Sequence, residues 1–481
     1  MRLVLDLVVN HTSDEHPWFE EARKSRHNPY YNYYHWWPAE KGEPPLRLSY
    51  FDEEGNAWTY NKSTDSYYLH YFSRKQPDLN WENPEVRQEI FDMMRFWFDK
   101  GIDGFRMDSI SLIAKDPSFP LIDSKKYPDI FSFYAKEPRL HLYLHEMNRQ
   151  VLSKYDCMSV GEGSAVMVDD VAKFVDPARE ELNMLYHFDA ARIRNTTLPD
   201  NPESGIDYSL IALKKMFTEW DKAVDKGWPS IYLGNHDQPR MVSRFGSDKD
   251  EFRALSAKML ITFLLTMRGT PYWFAGDEIG MRNIRFDRIE DYNDIDTINR
   301  YKKAKAEGKD PQAVLDEQKE TGRDNARTPF QWDRSPEAGF TAGTPWLKVN
   351  PDYTWINVAD EEKDPTSILN YFKKVVSFRK ENPSLIYGSY HLLDAENPQS
   401  YTFLRKTGAD TYLIMLNFSP KAAISTPGID MSNAHVLLDN YGDRSHMAPQ
   451  KDITLRPFEA IVFQLNHPVY ESFIDSLDLL E

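Results

Sequence analysis

The chain has 481 residues and a formal net charge of −17 at pH 7. This acidic balance disfavours nucleic acid and anionic membranes as partners, and no apolar run approaches the roughly 20 residues that cross a bilayer. The single cysteine, Cys157, excludes an internal disulfide, so the fold does not depend on an oxidising compartment and we expect a cytoplasmic location. The oligomeric state stays open.

The chain begins with an apolar run, Met1 to Val9, which is typical of a strand buried on both faces of a parallel sheet. Polar residues follow at Asn10 and His11. From Thr12 to about Lys75 no alternation of helix and strand is visible, and aromatic residues cluster among turn residues. This texture predicts a separate small domain.

A helix is predicted to begin at Asn83-Pro84-Glu85, with asparagine as the cap and proline in the first turn. Its apolar residues at helical spacing are Val86, Ile90, Met94 and Trp97, and Gly101 ends it. Further strands are predicted over 102–108, 157–162, 183–189, 230–237 and 270–278, separated by longer helical stretches. This alternation predicts a parallel α/β barrel.

The C-terminal part has a different pattern. A last amphipathic helix is predicted over Ser367 to Glu381, and Asn382-Pro383 ends it. Beyond about Ser389, short strand-like runs at 400–405, 411–418 and 460–465 are separated by turn residues. This pattern predicts an all-β sandwich.

Several predicted strands are followed by the side chains that glycoside hydrolysis needs. The carboxylates are Asp108, Glu162 and Asp237, and the histidines are His11 and His236. In a (β/α)8 barrel the carboxyl ends of the strands hold the active site, and a pair of carboxyl groups is sufficient for cleaving a glycosidic bond. Taken singly, each motif also fits a structural role, such as a buried ion pair of Arg106 with Asp108.

Two of these carboxylates fit distinct roles in a retaining mechanism. Asp108 fits the nucleophile, because Arg106 lies two residues earlier on the same strand and places a cation on the same face. Glu162 fits the acid/base that protonates the leaving sugar. The predicted separation of the two carboxyl groups is about 5–5.5 Å.

The order and spacing of these motifs resemble glycoside hydrolase family 13, the α-amylase superfamily, and within it the oligo-1,6-glucosidase and α-glucosidase branch. Gln76-Pro-Asp-Leu-Asn80 is similar to the marker pentapeptide of that branch. The segment from Arg323 to Trp332, Arg-Asp-Asn-Ala-Arg-Thr-Pro-Phe-Gln-Trp, is similar to another of its signatures. The resemblance covers nearly the whole chain.

The resemblance implies an α/β fold with a (β/α)8 TIM-type barrel, an inserted domain B and a C-terminal antiparallel β-sandwich. The expected boundaries are 1–11 and 76–388 for the barrel, 12–75 for domain B and 389–481 for the sandwich. In the family, the Met1 to Val9 run is barrel strand three, so strands 3 to 8 are expected to be present and strands 1 and 2 to be missing. A truncated chain of this kind would be insoluble or inactive when expressed alone; the alternative is a natural short variant.

The resemblance also assigns site residues. Asp237 would stabilise the oxocarbenium-like transition state, and the substrate-binding residues would be His11, Arg106, His236, Arg323, Ser109 and Gln238. Asp6 is expected to orient His11. No metal and no cofactor is expected, since a family calcium site would lie in the missing N-terminal part.

The predicted function is that of a retaining exo-acting α-glucosidase. It would remove terminal glucose from short isomalto- or malto-oligosaccharides, or from sucrose, through a covalent glucosyl–Asp108 intermediate. The linkage stays open, because the marker pentapeptide favours α-1,6 bonds whereas the small hydroxyl of Ser109 is nearer the residue found in α-1,4-preferring members. The alternatives are a sucrose isomerase or transglucosidase, an inert truncated fragment, and a non-enzymatic relative.

Overall fold

The computed structural model describes residues 1–51, 55–123, 125–127, 130–408, 410–445, 447 and 450–465. It divides into two compact units, which are described separately: unit 1 is Met1–Phe188 with Ala223–Pro229, and unit 2 is Asp189–Lys222 with Ser230–Glu481. The predicted domain boundaries differ from these and stay a prediction. Among the described residues, no helix has the length and apolar character needed to cross a membrane.

The strands of unit 1 are β1 (Val4–Val8), β2 (Trp36–Pro38), β3 (Trp58–Asn61), β4 (Ser66–Leu69), β5 (Gly104–Asp108), β6 (Met158–Glu162) and β7 (Met184–Tyr186). Its helices are α1 (Pro17–Ala22), α2 (Pro84–Asp99), α3 (Ile130–Tyr134), α4 (Arg139–Gln150) and α5 (Ala172–Val175).

A parallel sheet with the strand order β1-β5-β6-β7 forms the centre of unit 1. These strands lie within the predicted runs at the chain start and at 102–108, 157–162 and 183–189, so those four predictions are confirmed. Because neighbouring strands are parallel, their carboxyl ends meet at one edge of the sheet. Asp108 ends β5 and Glu162 ends β6 at this edge.

Helix α2 also forms as the sequence predicts. The Asn83 side chain accepts the N–H of Glu85 at 2.9 Å, which satisfies one of the unpaired donors of the first turn. Of the predicted core positions, Trp97 is 38% exposed, and Phe98 is buried in its place. Phe98 lies four residues after Met94 and therefore on the same helix face.

A second, antiparallel sheet of unit 1 has the strand order β2-β4-β3 and lies inside the segment 12–75. Trp58 and Leu69 of this sheet are buried in a cluster that also contains Leu112 and Tyr134. The cluster joins the 12–75 segment to the chain that follows β5.

The strands of unit 2 are β8 (Ser230–Ile231), β9 (Thr270–Pro271), β10 (Ser389–Leu393), β11 (Ser400–Thr407), β12 (Asp410–Asn417), β13 (Ala423–Ser425), β14 (Ala434–Asp439), β15 (Ile453–Leu455) and β16 (Ala460–Leu465). Its helices are α6 (Asp189–Thr196), α7 (Leu210–Ala223), α8 (Met241–Phe245), α9 (Arg253–Thr266), α10 (Ile295–Ala306), α11 (Pro311–Thr321), α12 (Val358–Glu361), α13 (Ile368–Glu381) and α14 (Ser384–Tyr387).

Strands β8 and β9 pair in parallel and are much shorter than the runs predicted at 230–237 and 270–278. The residues after Ile231 turn instead of extending, because the Asn235 side chain accepts the N–H of Asp237 at 2.9 Å. Closure of a (β/α)8 barrel stays a prediction.

The end of the described chain is antiparallel, as the sequence predicts. One sheet has the order β10-β11-β12-β16-β14, and β13 pairs with β15 in a second sheet. Leu404, Leu413 and Ile461 from the first sheet pack in one cluster with Ile453 and Leu455 from the second. Residues 466–481 of the predicted sandwich, 389–481, lie outside the described residues.

Candidate active site

A single guanidinium group joins the predicted catalytic carboxylates of unit 1. Arg106 and Asp108 are both on β5, Asp6 is the register partner of Arg106 on β1, and Glu162 is the register partner of Tyr186. We call these five residues the Arg106 cluster. Because of the strand register, their side chains project from neighbouring strands towards one place at the carboxyl edge of the sheet.

Arg106 makes five hydrogen bonds within this cluster. Its Nη1 donates to Asp6 Oδ1 at 2.8 Å and to Asp108 Oδ1 at 2.7 Å. Its Nη2 donates to Glu162 Oε2 at 2.5 Å and to the Tyr186 hydroxyl at 2.5 Å, and Nε donates to the same hydroxyl at 2.9 Å. A guanidinium carries five N–H donors, so this geometry favours a positioning role for Arg106 over the predicted contact with substrate.

Arg106 stays protonated, and therefore positively charged, in this cluster. Burial alone would lower the pKa of Arg106, but the charges of Glu162, Tyr186 and Asp108 and the hydrogen bond that Arg106 donates to Asp6 together raise it. The arginine is therefore a permanent cation among the carboxyl groups of Asp6, Asp108 and Glu162. It offsets the negative charge that Asp108 and Glu162 carry when they are ionised.

Glu162 is buried and is held by further donors. The N–H of Ser109 donates to its Oε2 at 3.2 Å, and the Ser164 hydroxyl donates to its Oε1 at 3.3 Å. Ser109 adopts the left-handed conformation, with φ 43° and ψ 33°. This uncommon conformation for a non-glycine residue directly follows Asp108 and turns the Ser109 N–H towards Glu162.

His11 follows β1 and is buried beside the same edge of the sheet. Burial lowers the pKa of His11, the Asp78 and Asp108 carboxylates oppose this shift, and Lys115 adds to it. The imidazole is therefore neutral at neutral pH and can both donate and accept a hydrogen bond. A cavity of about 610 Å³ opens next to His11 and is lined in part by Val9, Gln76 and Ile90.

A second group of predicted site residues lies in unit 2. One oxygen of Asp237, Oδ1, accepts two hydrogen bonds: one from Nη1 of Arg323 at 3.2 Å and one from Nη2 of Arg327 at 2.7 Å. Its Oδ2 is 3.3 Å from Nε2 of His236, whose side chain is 49% exposed. Asp294 holds Nε of Arg323 at 2.8 Å. We call these five residues the Asp237 cluster.

Gln238 lies next to the Asp237 cluster in sequence, and its side-chain oxygen accepts a hydrogen bond from Arg244. Burial lowers the pKa of Arg244 to about 10, while Tyr232 opposes this shift. The substrate contact of Gln238 stays a prediction.

The structure places several residues that sequence reasoning missed or misassigned. Asp6 binds Arg106 and was expected to orient His11; the parallel register of β1 against β5 explains the difference. Tyr186 was missed although it lies inside the predicted strand 183–189, and Asp294 was missed because no motif surrounds it. Among the described residues, no group of three or more His, Cys, Asp or Glu side chains is arranged to hold a metal ion; the predicted lack of a metal stays a prediction.

Comparisons with known proteins agree with the sequence motifs. The chain is 49% identical over 479 residues to the oligo-1,6-glucosidase of Parageobacillus thermoglucosidasius, covering 97% of this chain and 84% of that protein. It is 45% identical to the oligo-1,6-glucosidase of Bacillus cereus, covering 97% of this chain and 83% of that protein. These coverages do not support the prediction that barrel strands 1 and 2 are missing, which stays a prediction.

A solved structure and a family description extend this similarity to the fold. A mutant isomaltulose synthase from Erwinia rhapontici, solved in complex with its natural substrate sucrose, superimposes with a TM-score of 0.91 at 39% identity, covering 97% of this chain and 83% of that one. Residues 1–388 match the family described as "Alpha amylase, catalytic domain". The chain therefore belongs to the α-amylase family, glycoside hydrolase family 13, and is a glycoside hydrolase.

Proposed function

We propose that this glycoside hydrolase is a retaining, exo-acting α-glucosidase in which Asp108 is the nucleophile and Glu162 the acid/base. The observation that carries the proposal is the guanidinium of Arg106, which binds Asp108 at 2.7 Å and Glu162 at 2.5 Å. One guanidinium that binds both carboxyl groups keeps them near each other, and a retaining mechanism requires a separation of about 5–5.5 Å. The similarity to two oligo-1,6-glucosidases supports the same activity.

The chemistry would proceed in two displacement steps. Asp108 attacks the anomeric carbon of the terminal glucose while Glu162 gives its proton to the glycosidic oxygen, so the leaving sugar departs as an alcohol. Glu162, now ionised, then takes a proton from water, whose oxygen attacks the same carbon and releases Asp108. Both steps invert the configuration of the anomeric carbon, so the released glucose has the same α configuration as the substrate.

We further propose that the other predicted site residues bind the sugar. Asp237 would bind the sugar hydroxyls and stabilise the positive charge of the transition state, and His11 and His236 would hydrogen-bond the reacting glucose. Arg323 is proposed to reach the terminal sugar, although it already donates to Asp237 and Asp294. The two arginines that hold Asp237 support a fixed orientation for that carboxylate.

The configuration of the released glucose tests the mechanism. We expect proton NMR recorded during the first minutes of 4-nitrophenyl α-glucoside hydrolysis, in which the transferred glucose is the sugar released, to show the α anomer before mutarotation. The β anomer as first product would mean a single displacement, and Asp108 would then act as a base towards water.

A sucrose isomerase or transglucosidase is the alternative, and the similarity to the isomaltulose synthase is the observation that supports it. Both share the first half-reaction and differ in whether water or a sugar hydroxyl attacks the glucosyl enzyme. Incubation with sucrose separates them: glucose and fructose in equal amounts indicate hydrolysis, and an isomeric disaccharide indicates the alternative.

Ser109 is proposed to influence the choice of linkage, because it directly follows the nucleophile. Many α-1,6-preferring members of the family have valine at this position. Replacing Ser109 with valine should therefore raise kcat/KM for isomaltose relative to maltose by about tenfold, which is the selectivity that one or two methyl groups in a pocket provide. A branched residue at positive φ is strained, so thermal stability should fall. Ser109→Ala is the control, since it removes the hydroxyl without branching. An unchanged ratio in Ser109→Val would assign Ser109 to packing alone.

A further inference from the structure

A fully buried ion pair lies next to His11, outside the groups that carry the proposed chemistry. Lys115 Nζ is 3.0 Å from Oδ2 of Asp78, and both side chains are 0% exposed. Asp78 belongs to the marker segment Gln76–Asn80, and Lys115 follows the turn after β5. Burying two charges has a large desolvation cost, so an ion pair of this kind is weak evidence for stability alone. Its contacts point to a role in orienting His11.

Lys115 reaches His11 through one carboxamide. Its ammonium donates to Oδ1 of Asn10 at 2.6 Å. The Asn10 nitrogen then faces Nδ1 of His11 at 3.3 Å and Oδ1 of Asp78 at 3.4 Å. Because an amide nitrogen can only donate, Nδ1 of His11 is the acceptor, and the proton of the neutral ring is on Nε2.

The backbone around Asp78 keeps these groups in place. His11 and Asp78 form an antiparallel bridge, and the N–H of Leu79 donates to the carbonyl of Asn10 at 2.9 Å. Oδ1 of Asp78 also accepts the N–H of Tyr71 at 3.1 Å. If the Asn10 amide turned over, its NH2 group would face the ammonium of Lys115 and its oxygen would face Oδ1 of Asp78. Both buried charges would then lose a hydrogen-bond partner.

The other nitrogen of His11 has a competing neighbour. The side-chain nitrogen of Gln76 lies 3.0 Å from Nε2, so two N–H groups face each other in this tautomer. The Gln76 oxygen accepts a neutral backbone donor, Ser73 N–H at 3.1 Å. The bond from Lys115 to Asn10 is shorter and charge-assisted, and such bonds are roughly twice as strong. Gln76 is therefore the side chain that turns; its oxygen then accepts Nε2–H in the free protein, and a ligand hydroxyl would replace it as the acceptor.

We propose that Lys115 and Asp78 are positioning residues that hold His11 as the neutral tautomer protonated on Nε2, ready to donate to a hydroxyl of the bound glucose. The donation to glucose rests on the proposed function, whereas the tautomer is a property of the free protein. The pair thus has a part in the reaction without touching the sugar.

The charges of three described residues shift the pKa of His11, and they determine in which direction each variant should change it. Asp78 and Asp108 raise the pKa of His11, whereas Lys115 lowers it, against the larger effect of burial. Removing the charge of Lys115 should therefore raise the pKa of His11, and removing the charge of Asp78 should lower it. The expected shifts are on the order of one pH unit.

Nitrogen NMR of protein labelled with ¹⁵N-histidine tests the proposal without requiring turnover. The His11 signals are identified by their loss in His11→Gln. In the unchanged protein Nδ1 should appear unprotonated and Nε2 protonated near neutral pH. In Lys115→Met a substantial fraction of the protons should move to Nδ1, and the titration midpoint should rise; in Asp78→Asn the midpoint should fall. We also expect kcat/KM to drop about tenfold in Lys115→Met, the worth of one hydrogen bond.

Two further variants keep the test decisive. Because Lys115→Met leaves a buried carboxylate unpaired, the double variant Lys115→Met/Asp78→Asn removes both charges, and the same change of tautomer is expected there. Lys214→Met is the matched control: Lys214 is also buried but donates to the carbonyls of Asp394 and Asn397, so its loss should lower Tm and leave the His11 signals unchanged.

An unaltered tautomer in both Lys115 variants would overturn the positioning role and leave the proposed function intact. Inverting hydrolysis would overturn the proposed function and leave the tautomer result standing.

Discussion

Replacing Asp108 with asparagine should lower kcat/KM for isomaltose by on the order of 10⁴-fold or more. The carboxamide has nearly the same shape as the carboxylate but cannot form the glucosyl ester. It can still accept the hydrogen bond that Arg106 donates to Oδ1 at 2.7 Å, so we expect the fold to persist. Initial rates of glucose release, with a circular dichroism melting curve of the same sample, give both quantities.

Asp6→Asn is the matched control for this experiment. Asp6 also binds Arg106, at 2.8 Å, but its side chain is 56% exposed, and its proposed role is only to orient the guanidinium. We expect a loss of about tenfold there, the worth of one charge-assisted hydrogen bond. Equal losses in the two variants would mean that Asp108 serves only to hold Arg106.

Replacing Glu162 with glutamine should reduce isomaltose hydrolysis by about 10²–10⁴-fold, the range for losing a general acid. The loss should be much smaller for the first step on 2,4-dinitrophenyl α-glucoside, because that leaving group needs no proton. The glucosyl enzyme should then accumulate, since no base activates water. A burst of dinitrophenol measured by stopped flow checks this expectation.

Azide provides the control for the Glu162 variant. It is a nucleophile that needs no general base, so it should restore turnover of the activated substrate and give α-glucosyl azide. If azide gives no rescue, or if both substrates slow equally, Glu162 does not act as the acid/base.

The sequence was sufficient to predict the parts of the site that lie on regular strands. Glu162 and Asp108 end β6 and β5, and their placement at one edge follows from parallel pairing alone. Helix α2 follows from its asparagine cap and apolar spacing. In each case the signal is local and repeats with a known period.

The remaining parts depend on register and on distant contacts, which the sequence does not encode locally. Asp6 was assigned to His11 because they are close in the chain, but the strand register places it opposite Arg106. The left-handed Ser109 could not be foreseen, since serine has no preference for positive φ. The pair of Lys115 and Asp78 joins two segments with no shared pattern.

Trapping the glucosyl enzyme tests the central claim most directly. With 5-fluoro-α-glucosyl fluoride, the ring fluorine destabilises both transition states while the fluoride leaving group still permits the first step, so the ester should accumulate. Peptic digestion at low pH and mass spectrometry should locate one fluoroglucosyl group on Asp108. A label on Glu162 or elsewhere, or no label in protein that turns over isomaltose, would contradict a covalent mechanism through Asp108.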